Sequence, residues 1–128
     1  MVLILPENSY FFDTYALFEI IKGNPRYDPY LSSVGIVTTR LNLMELYYGL
    51  LLRHGLSLAE QYYEQHLPNT VEIEDALIKE AAAFRANHRK KGFSYVDCLG
   101  YVLAHHLDIP FLTGDKAFKG MDGVRFVP

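Results

Sequence analysis

Short apolar runs alternate along the chain with longer segments of helical periodicity. Five short runs with turn residues at their ends predict strands, at residues 10–13, 34–37, 70–73, 109–113 and 124–127. Segments with apolar residues at helical spacing, or with capping residues at their ends, predict helices between them. They cover residues 14–23, 40–54, 57–66, 75–92 and 95–107, with a short turn or helix at 27–33.

Strands and helices follow one another without a hairpin signal, which predicts an α/β fold of three layers. We expect an α/β/α sandwich with a central, mostly parallel sheet of about five strands. At 128 residues the chain is long enough for one core, so we expect a single domain over residues 1–128. Residues 1–9 are either an extra edge strand, formed by 2–5, or a flexible start.

Composition narrows the class of protein. Hydrophobic residues make up 50% of the chain and charged residues 21%, which is typical of a globular domain. The only cysteine, Cys98, excludes an internal disulfide and favours a reducing, cytoplasmic location. The chain has no apolar run long enough to span a membrane and no signal-peptide pattern, so we expect neither membrane insertion nor secretion.

The charge distribution leaves two interpretations of nucleic-acid binding open. A formal net charge of −3 argues against coating nucleic acid by bulk electrostatics. A local basic cluster nevertheless precedes the segment around Asp97, formed by Arg85, Arg89, Lys90 and Lys91. This cluster is either a patch that binds nucleic acid or the solvated end of a helix, where positive charge is favourable.

Four acidic residues stand beside apolar sequence at strand ends or on helix faces: Asp13, Glu45, Asp97 and Asp115. Asp13 and Asp115 follow predicted strands, and ligand sites of open α/β sheets lie beyond the carboxyl ends of the strands. Neighbouring carboxylates in apolar surroundings repel one another and are costly to desolvate unless a cation neutralises them. Together they predict a metal site.

Three of these acids also have a structural interpretation when taken singly. Asp13 is placed to cap a helix, and Gly114-Asp115 is ordinary turn chemistry. Asp97 forms the pattern of a capping box with Ser94. Gly100, on the same predicted helix as Asp97, is interpreted as leaving room beside that carboxylate.

Glu45 lies on a helix that is apolar almost all round. Helical spacing places it on a narrow polar stripe with Thr38, Asn42 and Gly49. We interpret Gly49 as keeping space beside the carboxylate, at a cost in helix propensity. The alternative is that the stripe is the solvent-facing edge of the helix, screened by Arg53.

Other chemistries lack their signatures. The five histidines show no HExxH spacing, a second cysteine for a zinc site is missing, and neither a GxSxG elbow nor a phosphate-binding glycine loop is present. Oxygen ligands alone indicate Mg²⁺ or Mn²⁺.

Four short motifs, in this order, resemble those of PIN domains, particularly the small VapC-like toxin ribonucleases. The motifs are FFDTYAL, LMELYYG, SYVDCLGYVLA and FLTGDKAF, and the resemblance spans residues 10–127. It implies that Asp13, Glu45, Asp97 and Asp115 are catalytic and bind the metal, with support from Thr14 and Thr113. Two positions depart from the family pattern: Tyr15 replaces a small polar residue and Ala117 a further acid.

The resemblance implies a Mg²⁺- or Mn²⁺-dependent endoribonuclease, with one or two ions, that leaves a 5′-phosphate. It also implies an RNA substrate, an antitoxin partner and a homodimer. Apolar residues of the 40–54 helix, among them Tyr47, Tyr48 and Leu51, and the pair Tyr62-Tyr63 form either a docking face or core. A catalytically silent binding module and an RNA-processing nuclease that is not a toxin stay open. A haloacid-dehalogenase phosphatase is disfavoured because it needs an acid where Tyr15 stands.

Overall fold

Four parallel strands form the centre of the molecule in the computed structural model, which describes residues 4–128. The strands are β1 (Ser9–Phe12), β2 (Gly35–Val37), β3 (Phe111–Thr113) and β4 (Val124–Phe126). Their order in the sheet is β2-β1-β3-β4, and every pairing is parallel. Because β1 and β3 are the two central strands, their carboxyl ends lie side by side.

Helices cover both faces of the sheet, as the three-layer prediction requires. They are α1 (Thr14–Lys22), α2 (Arg40–Arg53), α3 (Leu56–His66), α4 (Asp75–Asn87) and α5 (Tyr95–His106). Strand alternation divides the core: Phe11 and Phe111 join the cluster with α4 and α5, whereas Phe12 and Leu112 join the cluster with α1 to α3. None of the helices within residues 4–128 has both the length and the apolar character needed to cross a membrane.

The sheet has four strands within the described residues rather than about five. Residues 70–73 contribute only an isolated bridge between Thr38 and Thr70, and the strand predicted there is wrong. The bridge cannot extend because β2 ends at Val37 and α2 begins at Arg40, which leaves no extended partner. Of the edge strand suggested for 2–5, residues 4 and 5 are not in a strand, and 2 and 3 lie outside the described residues.

The helix predicted to reach residue 92 ends at Asn87. The His88 ring stacks on Phe84, and its Nδ1 lies 2.8 Å from the Phe84 carbonyl oxygen. That carbonyl is the normal helical partner of the His88 N–H, which bonds to the Arg85 carbonyl instead. A 3₁₀ turn follows over Arg89–Lys91, so three members of the basic cluster stand on this turn, whereas Arg85 lies in the last turn of α4.

Gly100 brings α5 into close contact with the two central strands. A Cβ atom at this position would lie 2.7 Å from the ring of Phe11 and 3.1 Å from that of Phe111. Both rings are fully buried and stack on one another, so they have little room to move. The interpretation that Gly100 leaves room beside Asp97 is therefore wrong, because the space is occupied by the sheet.

We expect the Gly100→Ala substitution to lower the free energy of unfolding by about 1–3 kcal/mol, because an added methyl overpacks this contact. The loss should outweigh the gain of about 1 kcal/mol in helix propensity. Urea unfolding measures it. Gly49→Ala is the comparison: its Cβ would lie 2.3 Å from Cζ of Phe18, the outer end of a half-buried ring that can turn away, so its loss of stability should be smaller. A Gly100→Ala protein as stable as the wild type would contradict this account.

Candidate active site

The four acids predicted as site residues lie on elements that meet at the carboxyl edge of the sheet. Asp13 directly follows β1 and Asp115 comes two residues after β3, the neighbouring strand. Glu45 lies in the second turn of α2, and Asp97 in the first turn of α5. Their charges act on one another: Asp97 and Glu45 both raise the pKa of Asp13, and Asp115 raises that of Asp97.

Asp13 is the most buried of these acids, with 3% of its surface exposed. Burial, followed by the charge of Asp97, raises its pKa to about 7. The Thr113 hydroxyl, which donates to Oδ2 of Asp13 over 2.8 Å, offsets part of this rise. Asp13 occupies the N-cap position of α1, as its cap interpretation requires, but its side chain makes no capping hydrogen bond to the helix.

Thr113 connects two of the acids. While its hydroxyl donates to Asp13, it accepts the backbone N–H of Asp115 over 3.1 Å. The Asp115 Oδ1 in turn accepts the backbone N–H of Ala117 over 3.0 Å, which caps a short 3₁₀ turn. Asp115 therefore has the turn role foreseen from Gly-Asp chemistry, and its position beside Asp13 is fixed by the same contacts.

A directed chain of hydrogen bonds holds Glu45. The Thr39 hydroxyl donates to Asn42 Oδ1, Asn42 Nδ2 donates to Thr14 Oγ1, and Thr14 Oγ1 donates to Glu45 Oε1 over 2.7 Å. Every member of the chain donates in the same direction, so Glu45 is fixed as an acceptor at its end. Its pKa is raised mainly by burial.

The polar stripe of α2 faces inward. Thr38 and Asn42 are fully buried, which excludes the solvent-facing interpretation for this part of the stripe. Gly49 does not keep space beside Glu45, because a Cβ there would lie 2.3 Å from the Phe18 ring. That earlier interpretation is wrong, and Gly49 serves the packing of α1 on α2.

Asp97 combines the capping role with its place among the acids. Its Oδ2 accepts the backbone N–H of Ser94 over 2.9 Å, while the Ser94 hydroxyl accepts the N–H of Asp97 over 3.0 Å. This completes the predicted capping box. Burial is the main cause of its raised pKa, which the Ser94 contacts partly offset. One carboxylate oxygen thus holds the helix end, and the other is available to the site.

The predicted basic cluster lies beside the acids without pairing with them. Arg85 Nε donates to the Phe93 carbonyl, and Lys91 Nζ donates to the carbonyl of Ala117, two residues after Asp115. Arg89 and Lys90 are exposed. Over residues 4–128, none of the four acids forms an ion pair with a lysine or an arginine.

The donor set fits a hard, partly hydrated cation. In the described part of the chain, no three acidic, histidine or cysteine side chains converge closely enough to form a ready-made metal cage. Mg²⁺ keeps several of its waters and commonly binds through one or two carboxylates, so it does not need a closed cage of protein ligands. Burial and the charge of Asp97 raise the pKa of Asp13, and a bound cation would offset both effects. Zinc sites are usually built with nitrogen or sulfur ligands, which these four acids do not supply.

Two residues of this site were not given a role by sequence reasoning. Asn42 was placed on the polar stripe, but its link between Thr39 and Thr14 follows only from the way α1 packs on α2. The sequence signal that could have indicated this role is the amide of Asn42, three residues before Glu45 on an otherwise apolar helix. Tyr15, noted as a departure, packs its ring against Gly114, where a Cβ would lie 2.3 Å from it. It fills space beside the turn that carries Asp115.

The fold and the four acids define the class of protein: a three-layer α/β domain with an acidic site at the carboxyl edge of a parallel sheet. The family model of the PIN domain matches residues 10–124, and the chain belongs to the PIN domain family. A comparison with curated protein sequences finds no match.

Solved structures with the same fold include toxin–antitoxin assemblies. A toxin–antitoxin complex from Klebsiella pneumoniae has a TM-score of 0.71 at 21% identity, over 91% of this chain and 95% of that one. DNA-bound VapBC from Salmonella typhimurium has a TM-score of 0.70 at 17% identity, over 93% of this chain and 96% of that one. VapBC-1 from nontypeable Haemophilus influenzae has a TM-score of 0.69 at 15% identity, over 93% of this chain and 96% of that one. At these identities the likeness shows a shared fold.

Proposed function

We propose that this chain is a Mg²⁺- or Mn²⁺-dependent endoribonuclease and the toxin of a VapBC-type toxin–antitoxin pair. The observation that carries the proposal is the buried Asp13 carboxylate, whose pKa is raised by burial and by the charges of Asp97 and Glu45, and which forms no ion pair with a lysine or arginine within residues 4–128. A cluster of acids without a bound cation would be destabilising, because nothing would offset the desolvation and mutual repulsion of the carboxylates. Membership of the PIN domain family and the toxin–antitoxin relatives support the same conclusion.

Each acid has a role that follows from its contacts. Asp13, Glu45, Asp97 and Asp115 would hold the ion, with Thr14 orienting Glu45 and Thr113 orienting Asp13. When bound, a divalent ion supplies an activated water and counter-charge for the leaving oxygen of a phosphodiester. Asp97 keeps one oxygen on the helix end, and its other oxygen would orient the attacking water and accept its proton.

The proposed antitoxin and homodimer contacts need exposed apolar surface, and α2 with the start of α3 provides it. The exposed side chains along this surface are Leu41, Met44, Tyr48, Leu51, Leu52 and Leu56. Tyr47, Tyr62 and Tyr63 are half-buried, and Tyr47 bonds to Glu60 of α3. Tyr48 and Leu51 therefore belong to the available face, whereas the other tyrosines pack between helices. The single cysteine, Cys98, is buried, in keeping with the proposed cytoplasmic location.

Asp97→Asn tests the function with little change of fold, because the amide oxygen still accepts the Ser94 N–H of the capping box. We expect cleavage of single-stranded RNA to require Mg²⁺ or Mn²⁺, to stop with a chelator, and to fall at least about a hundredfold in this variant. The rate of product formation on denaturing gels measures it.

Asp122→Asn is the matched control: it makes the same chemical change beside His105, at the opposite end of α5, on a side chain that is 98% exposed. Its cleavage rate should equal that of the wild type. Cleavage that persists in a chelator, or that Asp97→Asn leaves undiminished, would refute the proposed function and favour a silent binding module.

A further inference from the structure

An exposed aromatic ring lies in the same helical turn as one of the acids. Tyr95 is the first residue of α5, two residues before Asp97, and 70% of its surface is exposed. The capping box of Ser94 and Asp97 fixes this helix end. The position of Tyr95 relative to the acids is therefore set by the same hydrogen bonds that place Asp97.

Arg85 holds one face of the Tyr95 ring. The guanidinium carbon lies 4.2 Å from the ring centroid, while Nε donates to the Phe93 carbonyl over 3.0 Å. The cation is thus anchored to the backbone on one side and stacks on the ring on the other. Because the guanidinium covers one face and most of the residue is exposed, the opposite face of the ring is open to solvent.

The surroundings of Tyr95 are charged rather than apolar. Asp97 lies in the same helical turn as Tyr95, and the Arg85 guanidinium stacks on the ring. Lys91 donates to the Ala117 carbonyl, which connects the basic turn of residues 89–91 to the segment that follows Asp115. Tyr95 is therefore flanked by an acid that would hold a metal ion and by a cation of the kind that contacts phosphates. Tyr48, by contrast, stands among exposed leucines.

We propose that the Tyr95 ring, backed by Arg85, is a stacking platform for an unpaired nucleobase next to the scissile phosphodiester. A base in a duplex has both faces covered by its neighbours, so such a platform takes single strands and rejects double helices. Positive groups on the turn at 89–91 would meet the adjoining phosphates. This inference rests on the proposed function, since it names a side chain that holds the substrate of the same site.

Binding measured without cleavage tests the platform. Fluorescence anisotropy in the presence of a chelator compares a labelled ten-nucleotide single-stranded RNA with a blunt duplex of the same sequence. Removing an aromatic platform weakens single-strand binding roughly fivefold to a hundredfold. We expect that loss in Tyr95→Ala, a change under about twofold in Tyr95→Phe, which keeps the ring, and weak, unaltered duplex binding in all variants.

Leu31→Ala is the control, because it removes an exposed apolar side chain that lies outside both the acidic site and the α2 face. It should bind single-stranded RNA as the wild type does. Equal affinity of Tyr95→Ala and wild type, equal loss for Tyr95→Phe and Tyr95→Ala, or failure of the wild type to prefer single strands would overturn the inference.

The two proposals fail in different ways. A protein that binds single strands through Tyr95 but does not cleave RNA would refute the nuclease and leave the platform standing. A protein that cleaves RNA in an Asp97-dependent way while Tyr95→Ala binds normally would do the reverse.

Discussion

The Asp13→Asn variant is expected to be more stable than the wild type in the absence of metal, and inactive on RNA. Asp13 is 3% exposed and its pKa lies at about 7, far above the ordinary value of 3.8. Ionisation therefore disfavours the folded state. Asparagine removes the charge and keeps an oxygen that accepts the Thr113 hydroxyl.

The sign of the effect follows from proton linkage. Between pH 3.8 and about 7 the folded chain retains on Asp13 a proton that the unfolded chain has lost, so stability falls as pH rises through this range. Below this pH range Asp13 is protonated in both the folded and the unfolded chain, and it does not lower the free energy of unfolding. Above about pH 7 the ionised Asp13 lowers the free energy of unfolding by about 4 kcal/mol, at about 1.4 kcal/mol per pH unit of pKa difference.

Urea unfolding in a chelator at about pH 4 and about pH 8 measures the difference. The gain in Asp13→Asn should be small at the lower pH and reach a few kcal/mol at the higher one. Asp122→Asn, on an exposed side chain, should change stability little at either pH. An Asp13→Asn protein that is less stable than the wild type at the higher pH, or that still cleaves RNA, would refute the assignment of Asp13 as an electrostatically strained metal ligand.

Added Mn²⁺ is expected to stabilise the wild type more at about pH 8 than at about pH 6. Metal binding requires the ionised carboxylate, and the raised pKa of Asp13 means that a proton must leave before an ion can bind at the lower pH. Repulsion by Asp97 and Glu45 is relieved at the same time. At about a hundred times the dissociation constant, binding adds about 2.7 kcal/mol to the free energy of unfolding.

Thermal unfolding with and without Mn²⁺ across this pH range measures the effect, and Asp13→Asn is the control that should lose most of the shift. Isothermal calorimetry in two buffers should detect proton release on binding at the lower pH. A shift that is independent of pH, or equal in Asp13→Asn, would show that the ion binds elsewhere on the chain.

The order of elements could be predicted from the chain because local patterns determine it. Short apolar runs at β1, β3 and β4 and capping residues such as Ser94 are visible without tertiary information. Residues 70–73 show the limit: their β-branched content is that of a strand, yet the chain offers them no extended partner beyond Thr38. Pairing depends on where the neighbouring strand ends, which a local pattern does not contain.

The acids of the candidate site were predictable as residues, whereas their contacts were not. Strand ends and helix faces pointed to Asp13 and Glu45, but the Thr39, Asn42 and Thr14 chain depends on the packing of α1 on α2. The interpretation of the two glycines was wrong for the same reason. The space beside Gly49 and Gly100 is occupied by the aromatic rings of Phe18 and Phe11, which come from distant parts of the chain.

The bond between Thr113 and Asp13 joins residues 100 positions apart, and that between Thr14 and Glu45 residues 31 apart. Contacts so distant in sequence form only after long loops have closed, and therefore late in folding. During synthesis, Asp13 leaves the ribosome long before β3 exists to receive it. An unfinished chain carries the acids without the site.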